Sequence, residues 1–166
     1  IREGSKLAKD IKISGEVNNI IVCGMGGSGI AGNLLKTTLR NSKVPVEVCN
    51  DYSLPGYVDR TSLVFALSYS GETEEILLLL PLLKRMDTHI IALTGNPSST
   101  IAQQSDINLD TSVDKEACPL DLAPTASIAT SLAMGDAIAV ALLEARGFDA
   151  NDFARTHPGG KLGKSL

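Results

Sequence analysis

A glycine-rich stretch lies between an apolar run and a segment of helical spacing, and this order strongly constrains the fold. The stretch is Gly24-Met25-Gly26-Gly27-Ser28-Gly29, the apolar run covers residues 20–22, and the helical spacing covers residues 30–39. The pattern predicts a strand, a tight turn and the start of a helix. Unpaired backbone N–H groups at the positive end of a helix suit a phosphate.

A second loop of the same kind follows the apolar run at residues 63–67. The loop is Ser68-Tyr69-Ser70-Gly71-Glu72-Thr73, and residues 74–86 after it have helical spacing. Because both loops follow predicted strands, we expect them to form one shared anionic site at the carboxyl ends of those strands. The hydroxyls of Ser68, Ser70 and Thr73 suit a phosphomonoester held from two sides.

The first loop also satisfies the G-x-G-x-x-G pattern of dinucleotide sites, which alone is weak support for one. Glu47 or Asp51 could supply the acid expected about 20 residues later in such a site. Ile30 stands where a Walker A loop has its Lys, so that motif is excluded. A tight turn without a ligand is the third alternative. The hydroxyl-rich second loop favours a sugar phosphate over the other two.

Apolar runs alternate with helical patterns along the whole chain, which predicts an α/β fold. We expect about five parallel strands covered by helices on both faces, joined by right-handed crossovers. A length of 166 residues favours a single domain over residues 1–166. The predicted strands cover residues 19–24, 45–49, 62–68, 89–93 and 107–110. The predicted helices cover residues 3–13, 28–41, 73–86, 125–146 and 149–156. A further short helix is predicted between residue 86 and residue 125; it is capped by Ser98 or Ser99 and ends at Ser105.

Charge and composition limit the partners. The net charge is −4 and basic residues form no run, which argues against a nucleic-acid partner. No apolar run reaches about 18 residues and no signal-peptide pattern begins the sequence, so we expect no membrane span. Three cysteines without metal-ligand spacing read as reduced thiols, and we therefore expect a cytoplasmic protein. Of these, Cys118 reads as a small buried hydrophobe.

Two residues form a candidate acid/base pair. Glu116 lies in an irregular segment, residues 111–124, where a carboxylate held over a cleft is a candidate general base. His157 precedes Pro-Gly-Gly, where the chain must bend sharply, and its residue type suits proton transfer. The alternatives are a solvated loop charge for Glu116 and a helix-terminating turn for His157.

Glu72 and Glu75 are also candidates for a functional role. They lie three residues apart near the start of a predicted helix and share one of its faces, so either could point into the cleft. The alternative is a favourable interaction of these carboxylates with the helix dipole.

With these motifs the chain resembles the sugar isomerase (SIS) domain family over essentially its whole length. One set of motifs resembles the archaeal-type bifunctional phosphoglucose/phosphomannose isomerases, and a second, longer set resembles the D-arabinose-5-phosphate isomerases. The first set is CGMGGSGIAG (23–32), VPVEV (44–48), DYSLPG (51–56) and SYSG (68–71). The second set is KEACPL (115–120), LAPT (122–125), MGDA (134–137), ARGF (145–148) and HPGG (157–160). The two sets meet near residues 75–90. Such a sequence is either an unusual natural one or a recombined chain (a chimera), and we favour the chimera.

The resemblance implies a flavodoxin-like three-layer α/β/α sandwich that assembles as a homodimer or homotetramer. It implies aldose–ketose isomerisation of a sugar phosphate, without a metal or a nucleotide cofactor. The phosphate contacts it implies are Gly27, Ser28, Ser68, Ser70 and Thr73. The catalytic residues it implies are Glu75, Glu116 and His157, with the histidine supplied by a neighbouring subunit.

The chain departs from both families at positions that matter for catalysis. Arabinose-5-phosphate isomerases carry a functional Lys in the first glycine loop, where this chain has Gly27. They also carry a His-Gly-Asp segment after the second strand, and residues 52–57 contain neither His nor Asp. The other branch uses an Arg at the position of Thr125. Neither catalytic set is complete, so the chemistry is open between an isomerase and a phosphosugar-binding module without turnover.

Overall fold

A five-stranded parallel sheet forms the centre of the molecule, as the alternating pattern predicts. The computed structural model describes residues 15–38, 44–145 and 147–156. The strands are β1 (Asn19–Gly24), β2 (Val46–Cys49), β3 (Ser62–Leu67), β4 (His89–Thr94) and β5 (Ile107–Asp110). The helices are α1 (Gly26–Thr38), α2 (Glu74–Arg85), α3 (Thr100–Gln104), α4 (Ala126–Ala145) and α5 (Ala150–Thr156). The predicted helix at residues 3–13 and His157 lie outside the described residues.

The strand order is β2-β1-β3-β4-β5, and every neighbouring pair is parallel. This is the flavodoxin-like order, so the predicted fold is confirmed. The direction of winding reverses between β1 and β3, and the loops that follow these two strands therefore part at the carboxyl edge of the sheet. Ligands of such sheets bind at this switch point.

Apolar side chains cover both faces of the sheet, which makes the fold a three-layer sandwich. On one face, α2 and α3 bury Ile76, Leu80, Leu83 and Ile101 against the sheet. On the other face, α4 packs Met134 onto a second apolar cluster. The strands are nearly continuous apolar runs because both of their faces are buried. The sheet is thus a rigid base for the loops at its carboxyl edge.

The boundaries of the elements follow local chemistry. The hydroxyl of Ser99 accepts a hydrogen bond from the amide of Ala102 at 3.4 Å and caps α3. Of the two predicted N-cap residues, Ser98 and Ser99, the structure thus has Ser99. Pro81 lies inside α2 without ending it, and the buried residues of that helix keep helical spacing. The observed ends of the elements lie within about two residues of the predicted ends. The predicted end of α1, at residue 41, falls outside the described residues.

Two of the three cysteines lie side by side in the core. Cys23 and Cys49 are register partners on β1 and β2, both are buried, and both are free thiols. The neighbouring Cys49 and the burial of the site raise the pKa of the Cys23 thiol. Cys118 was expected to be buried, and this prediction was wrong. Its thiol is only half-buried, and the backbone amides of Ala123 and Leu122 lower its pKa.

Candidate functional site

The second loop gathers its hydroxyls at one point, as the sequence predicts. Ser68 Oγ lies 2.7 Å from Thr73 Oγ1 and 3.4 Å from Ser70 Oγ. The amides of Gly71 and Glu72 donate to Ser68 Oγ at 3.0 Å and to Ser70 Oγ at 3.2 Å. These contacts define a compact hydroxyl cluster, Ser68, Ser70 and Thr73, at the start of α2.

Thr73 is the N-cap residue of α2, but its side chain makes no capping hydrogen bond. Its hydroxyl is paired with Ser68 instead. The first amides of α2 are therefore not covered by their own cap, and the helix start keeps its capacity to hold an anion. The arrangement gives a phosphate both hydroxyl donors and a helix N-terminus.

The first loop opens onto a cavity of about 160 Å³ at the carboxyl edge of the sheet. Gly27 and Ser28, in the first turn of α1, line it on one side, and the first turns of α4 line it on the other. Its lining residues are Met25, Gly27, Ser28, Leu67, Tyr69, Leu93, Pro124, Ser127, Ile128 and Ser131. The hydroxyl cluster is not part of this lining, although Leu67 and Tyr69 on either side of Ser68 are.

The tight geometry of both loops depends on glycine. Gly26 has φ +53° and Gly71 has φ +68°, a region that L-residues with a side chain rarely adopt. A Cβ on Gly71 would also collide with the Ser99 side chain. The Gly71 carbonyl accepts a hydrogen bond from the Ile101 amide at 3.1 Å, so the second loop lies against the start of α3.

Glu116 lies on the start of α4. Its Oε2 accepts hydrogen bonds from the Thr125 amide at 2.7 Å, the Thr125 hydroxyl at 2.9 Å and the Ser127 amide at 3.2 Å. The Glu116 amide donates to Asp121 Oδ1 at 2.6 Å, which folds the loop back on itself. The carboxylate thus caps a 20-residue helix from outside that helix.

These neighbours stabilise the ionised form of Glu116. The Ser127 hydroxyl, followed by the donors of Thr125, holds the pKa of the Glu116 carboxyl well below its ordinary 4.5, at about 2. A general base works best with a pKa near the operating pH. In this geometry Glu116 is therefore a strong anchor and a weak base.

The other acidic candidates are separated by the fold. Glu72 accepts the Thr100 amide at 2.7 Å, so it holds α3 and does not face the cavity. Glu75 lies beside Tyr52, and its charge together with a hydrogen bond between the two side chains raises the pKa of Tyr52. Neither Glu75 nor Glu116 is among the residues that line the cavity.

Sequence reasoning missed Tyr69 and Ser127 as residues of the site. Tyr69 lies between Ser68 and Ser70 in the second loop, and it lines the cavity whereas they do not. Its ring lies over Gly95, and its hydroxyl contacts the backbone of Val113 at 3.3–3.4 Å. The signal for Ser127 was its place in the first turn of a long helix, two residues after Thr125.

Within the described ranges, no helix combines the length and the apolar character that crossing a membrane requires. In the same part of the chain, no three His, Cys, Asp or Glu side chains come close enough together to hold a metal ion.

A parallel sheet with two glycine loops that lead into helices at its switch point defines a doubly wound α/β domain. The chain belongs to the SIS domain family, whose model matches residues 15–141. It is 48% identical over 151 residues to arabinose 5-phosphate isomerase KdsD of Pseudomonas aeruginosa, a match that covers 89% of this chain and 46% of that protein. KdsD of Escherichia coli K12 is 46% identical over 151 residues, and this match also covers 89% of this chain and 46% of that protein. The chain spans about half the length of the curated relatives it matches.

Solved structures share the fold. A structure of Escherichia coli CFT073 c3406 in complex with arabinose 5-phosphate has a TM-score of 0.74 and 30% identity, and the match covers 95% of this chain and 91% of that one. The Vibrio vulnificus NanR protein complexed with ManNAc-6P has a TM-score of 0.70 and 23% identity, over 87% of this chain and 56% of that one. At that identity the second likeness shows the fold alone.

Proposed function

We propose that this chain is a sugar-phosphate-binding SIS domain and that it catalyses aldose–ketose isomerisation of arabinose 5-phosphate. The observation that carries the proposal is the hydroxyl cluster at the uncapped start of α2, beside a cavity with the first turn of α1 in its wall. The KdsD relatives and the related structure in complex with arabinose 5-phosphate support the choice of sugar.

In this proposal the phosphate binds to the hydroxyls of Ser68, Ser70 and Thr73 and to the first amides of α1 at Gly27 and Ser28. A dinucleotide site needs no such cluster of hydroxyls at the end of β3, so the cluster favours a phosphomonoester. Burial of Ser68 and the rigid glycine turn at Gly71 hold the donors in place before the ligand arrives.

The proposed chemistry is proton transfer between adjacent sugar carbons through a cis-enediol. Glu116 takes the proton from one carbon and returns it to the next, and Glu75 orients a sugar hydroxyl. His157, which lies outside the described residues, assists ring opening or transfers the hydroxyl proton. Each positioned acid or base of this type contributes about 10²–10⁴-fold to the rate.

A specific observation also favours a second function, phosphosugar binding without turnover. Gly27 stands where the resemblance places a functional lysine, and loss of one preorganised electrostatic group costs roughly 10²–10³-fold. The binding site of the second proposal is the same as that of the first. The two proposals differ only in turnover.

A coupled isomerase assay with arabinose 5-phosphate, glucose 6-phosphate and mannose 6-phosphate tests both, alongside thermal shift with each sugar. Turnover of arabinose 5-phosphate that is lost in Glu116→Gln supports the isomerase, and unchanged turnover in that variant removes Glu116 as the base. A thermal shift without turnover supports the binding module. Ser70→Ala should abolish the shift, whereas Ser98→Ala, an exposed serine in the turn before α3, should leave it unchanged.

The proposed protein is a homodimer or homotetramer, which the resemblance implies. In support, α4 carries apolar residues around its whole circumference and leaves Leu132 and Val140 exposed at 37% and 63%. A helix that is apolar all round is normally covered. Light scattering on the purified chain tests this: a monomer at every concentration would contradict it.

We further propose that residues 1–166 form one SIS domain of a single origin. The match to KdsD covers 89% of the chain and therefore passes through residues 75–90, where we had placed a junction. The comparisons give no support to a phosphoglucose/phosphomannose isomerase half or to recombination. A cytoplasmic location and the absence of a nucleic-acid partner stay predictions.

A further inference from the structure

The start of α4 holds an anion that belongs to its own chain. Three donors from Thr125 and Ser127 converge on one oxygen of Glu116, at 2.7, 2.9 and 3.2 Å. Backbone amides at a helix start together with a hydroxyl are the groups that bind phosphate and carboxylate ligands. The carboxylate of Glu116 fills this position from the loop before the helix.

One donor at this helix start is unused. Ser127 is 2% exposed, and among the described residues its Oγ has no partner in hydrogen-bond geometry. The hydroxyl lies near the Glu116 carboxylate and stabilises its charge, but the geometry between the two groups falls outside that of a hydrogen bond. A buried hydroxyl without a partner costs free energy, and a ligand oxygen would remove that cost.

The residue that carries this hydroxyl lines the cavity. Ser127 and Ser131 from α4 line the cavity opposite Ser28 from α1. The cavity therefore has a helix start on two sides and apolar side chains such as Leu67 and Leu93 between them. A small oxyanion in this cavity therefore lies beside Ser127, whose amide is one of the donors to Glu116.

We propose that the start of α4 is a second oxyanion-binding site and that Glu116 occupies it as an internal anion in the ligand-free protein. A phosphate-type oxyanion in the cavity binds the Ser127 amide and hydroxyl and displaces the carboxylate. The site is distinct from the hydroxyl cluster of Ser68, Ser70 and Thr73.

The displacement has a consequence that rests on the proposed function. Glu116 is anchored in the ligand-free geometry, and its release by an incoming ligand oxygen frees the carboxylate for proton transfer. The base then becomes available only when the cavity is filled. The anion site itself does not depend on any isomerase activity.

The test is titration of the purified chain with inorganic phosphate by calorimetry. While the Glu116 carboxylate occupies the site, phosphate can bind only to the fraction of molecules in which the site is open, and its apparent affinity falls by that fraction. A substitution that weakens the hold on the carboxylate should therefore strengthen phosphate binding. Thr125→Val keeps the charge and nearly the shape of the side chain, but it removes one donor to Glu116 and the acceptor of the Ala117 amide. We expect about tenfold tighter binding from the loss of that charge-assisted hydrogen bond. Glu116→Gln should bind phosphate about tenfold tighter for the same reason.

Further variants separate occupancy from simple charge. Glu144→Gln makes the same charge change at the far end of α4, about 27 Å away at 1.5 Å per residue, and should leave phosphate binding unchanged. Adding Ser127→Ala to Glu116→Gln should abolish the gain. Repeating the comparison in a Ser70→Ala background removes a hydroxyl from the first site and should leave the gain intact.

Parent affinity in both Thr125→Val and Glu116→Gln would overturn the proposal. A second pattern would also overturn it: Glu116→Gln binds phosphate more tightly, Thr125→Val does not, and adding Ser127→Ala to Glu116→Gln leaves the tighter binding unchanged. Tighter binding of that kind would be a long-range effect of charge. If Glu116→Gln does not fold, Thr125→Val decides the question. The titration contains no sugar and measures no turnover, so a chain that fails the isomerase assay can still pass it.

Discussion

Gly27 lies against the side chain of Ile128, across the gap between α1 and α4. A Cβ on Gly27 would come within 2.9 Å of Ile128 Cδ1, closer than such atoms normally approach, and 3.5 Å from Cγ1. Since Cδ1 is the free end of the Ile128 side chain, a larger residue at position 27 requires this end to move. The room beside position 27 therefore depends on the residue at position 128.

The contact predicts how a lysine can be placed in the first loop. In Gly27→Lys/Ile128→Val, valine lacks the Cδ1 atom that obstructs position 27. If the chain is an isomerase, we expect turnover of arabinose 5-phosphate to rise by roughly 10²–10³-fold, the usual effect of one preorganised charge. Gly27→Met/Ile128→Val is the control, since it adds similar length without charge. Equal turnover in the two double variants would contradict the prediction.

The anchored carboxylate of Glu116 predicts a specific dependence of stability on pH. Its pKa is about 2 in the folded chain and near 4.5 when unfolded, so the unfolded state binds a proton more readily as the pH falls. The stabilisation is complete above about pH 4.5 and disappears as the pH falls through about 2. The difference in unfolding free energy between the parent and Glu116→Gln should therefore be largest at neutral pH and shrink towards pH 2.

Urea unfolding of the parent and of Glu116→Gln at several pH values between 7 and 2 measures this difference. The carboxyl groups that the two proteins share contribute equally to both unfolding free energies, so their contributions cancel in the difference. Glu144→Gln makes the same substitution at the far end of α4 and serves as the matched control. A constant difference for Glu116→Gln would show that the hydrogen bonds to Thr125 and Ser127 do not persist in solution.

Gly71→Ala should destabilise the chain and weaken sugar-phosphate binding. The positive φ alone costs about 1–3 kcal/mol for a residue with a side chain, and the new Cβ collides with Ser99. Gly135→Ala, in the open middle of α4 where a Cβ meets nothing, should instead stabilise by about 0.5–1 kcal/mol. Thermal unfolding of both variants checks the opposite signs, and a neutral Gly71→Ala would contradict the proposed geometry.

Two leucines of α2 should respond very differently to the same substitution. Leu80 is 1% exposed in the core, and Leu80→Ala should cost about 2–5 kcal/mol through lost burial and the cavity left behind. Leu78 is 60% exposed on the outer face, and Leu78→Ala should change stability by less than about 0.5 kcal/mol. Chemical denaturation measures both. A large loss for Leu78→Ala would instead indicate that a partner covers this face.

Local patterns in the chain were enough to predict the order of strands and helices, because the spacing of apolar residues and the positions of glycines can be read from short stretches of sequence. They also placed the hydroxyls of Ser68, Ser70 and Thr73 together, since these residues lie within six positions of one turn. The register of Cys23 beside Cys49, and the place of both loops at the switch point, followed once the parallel sheet was formed.

The packing of distant segments, by contrast, keeps the acidic candidates out of the cavity lining and gives two of them partners that hold the fold. Glu72 bonds to the amide of Thr100, 28 residues away, and Glu116 bonds to the start of α4. Such contacts depend on how separate loops and helices pack, and no local periodicity encodes them. For the same reason the sequence could not show that Ile128 fills the space beside Gly27, or that Ser127 is buried with its hydroxyl unpaired among the described residues.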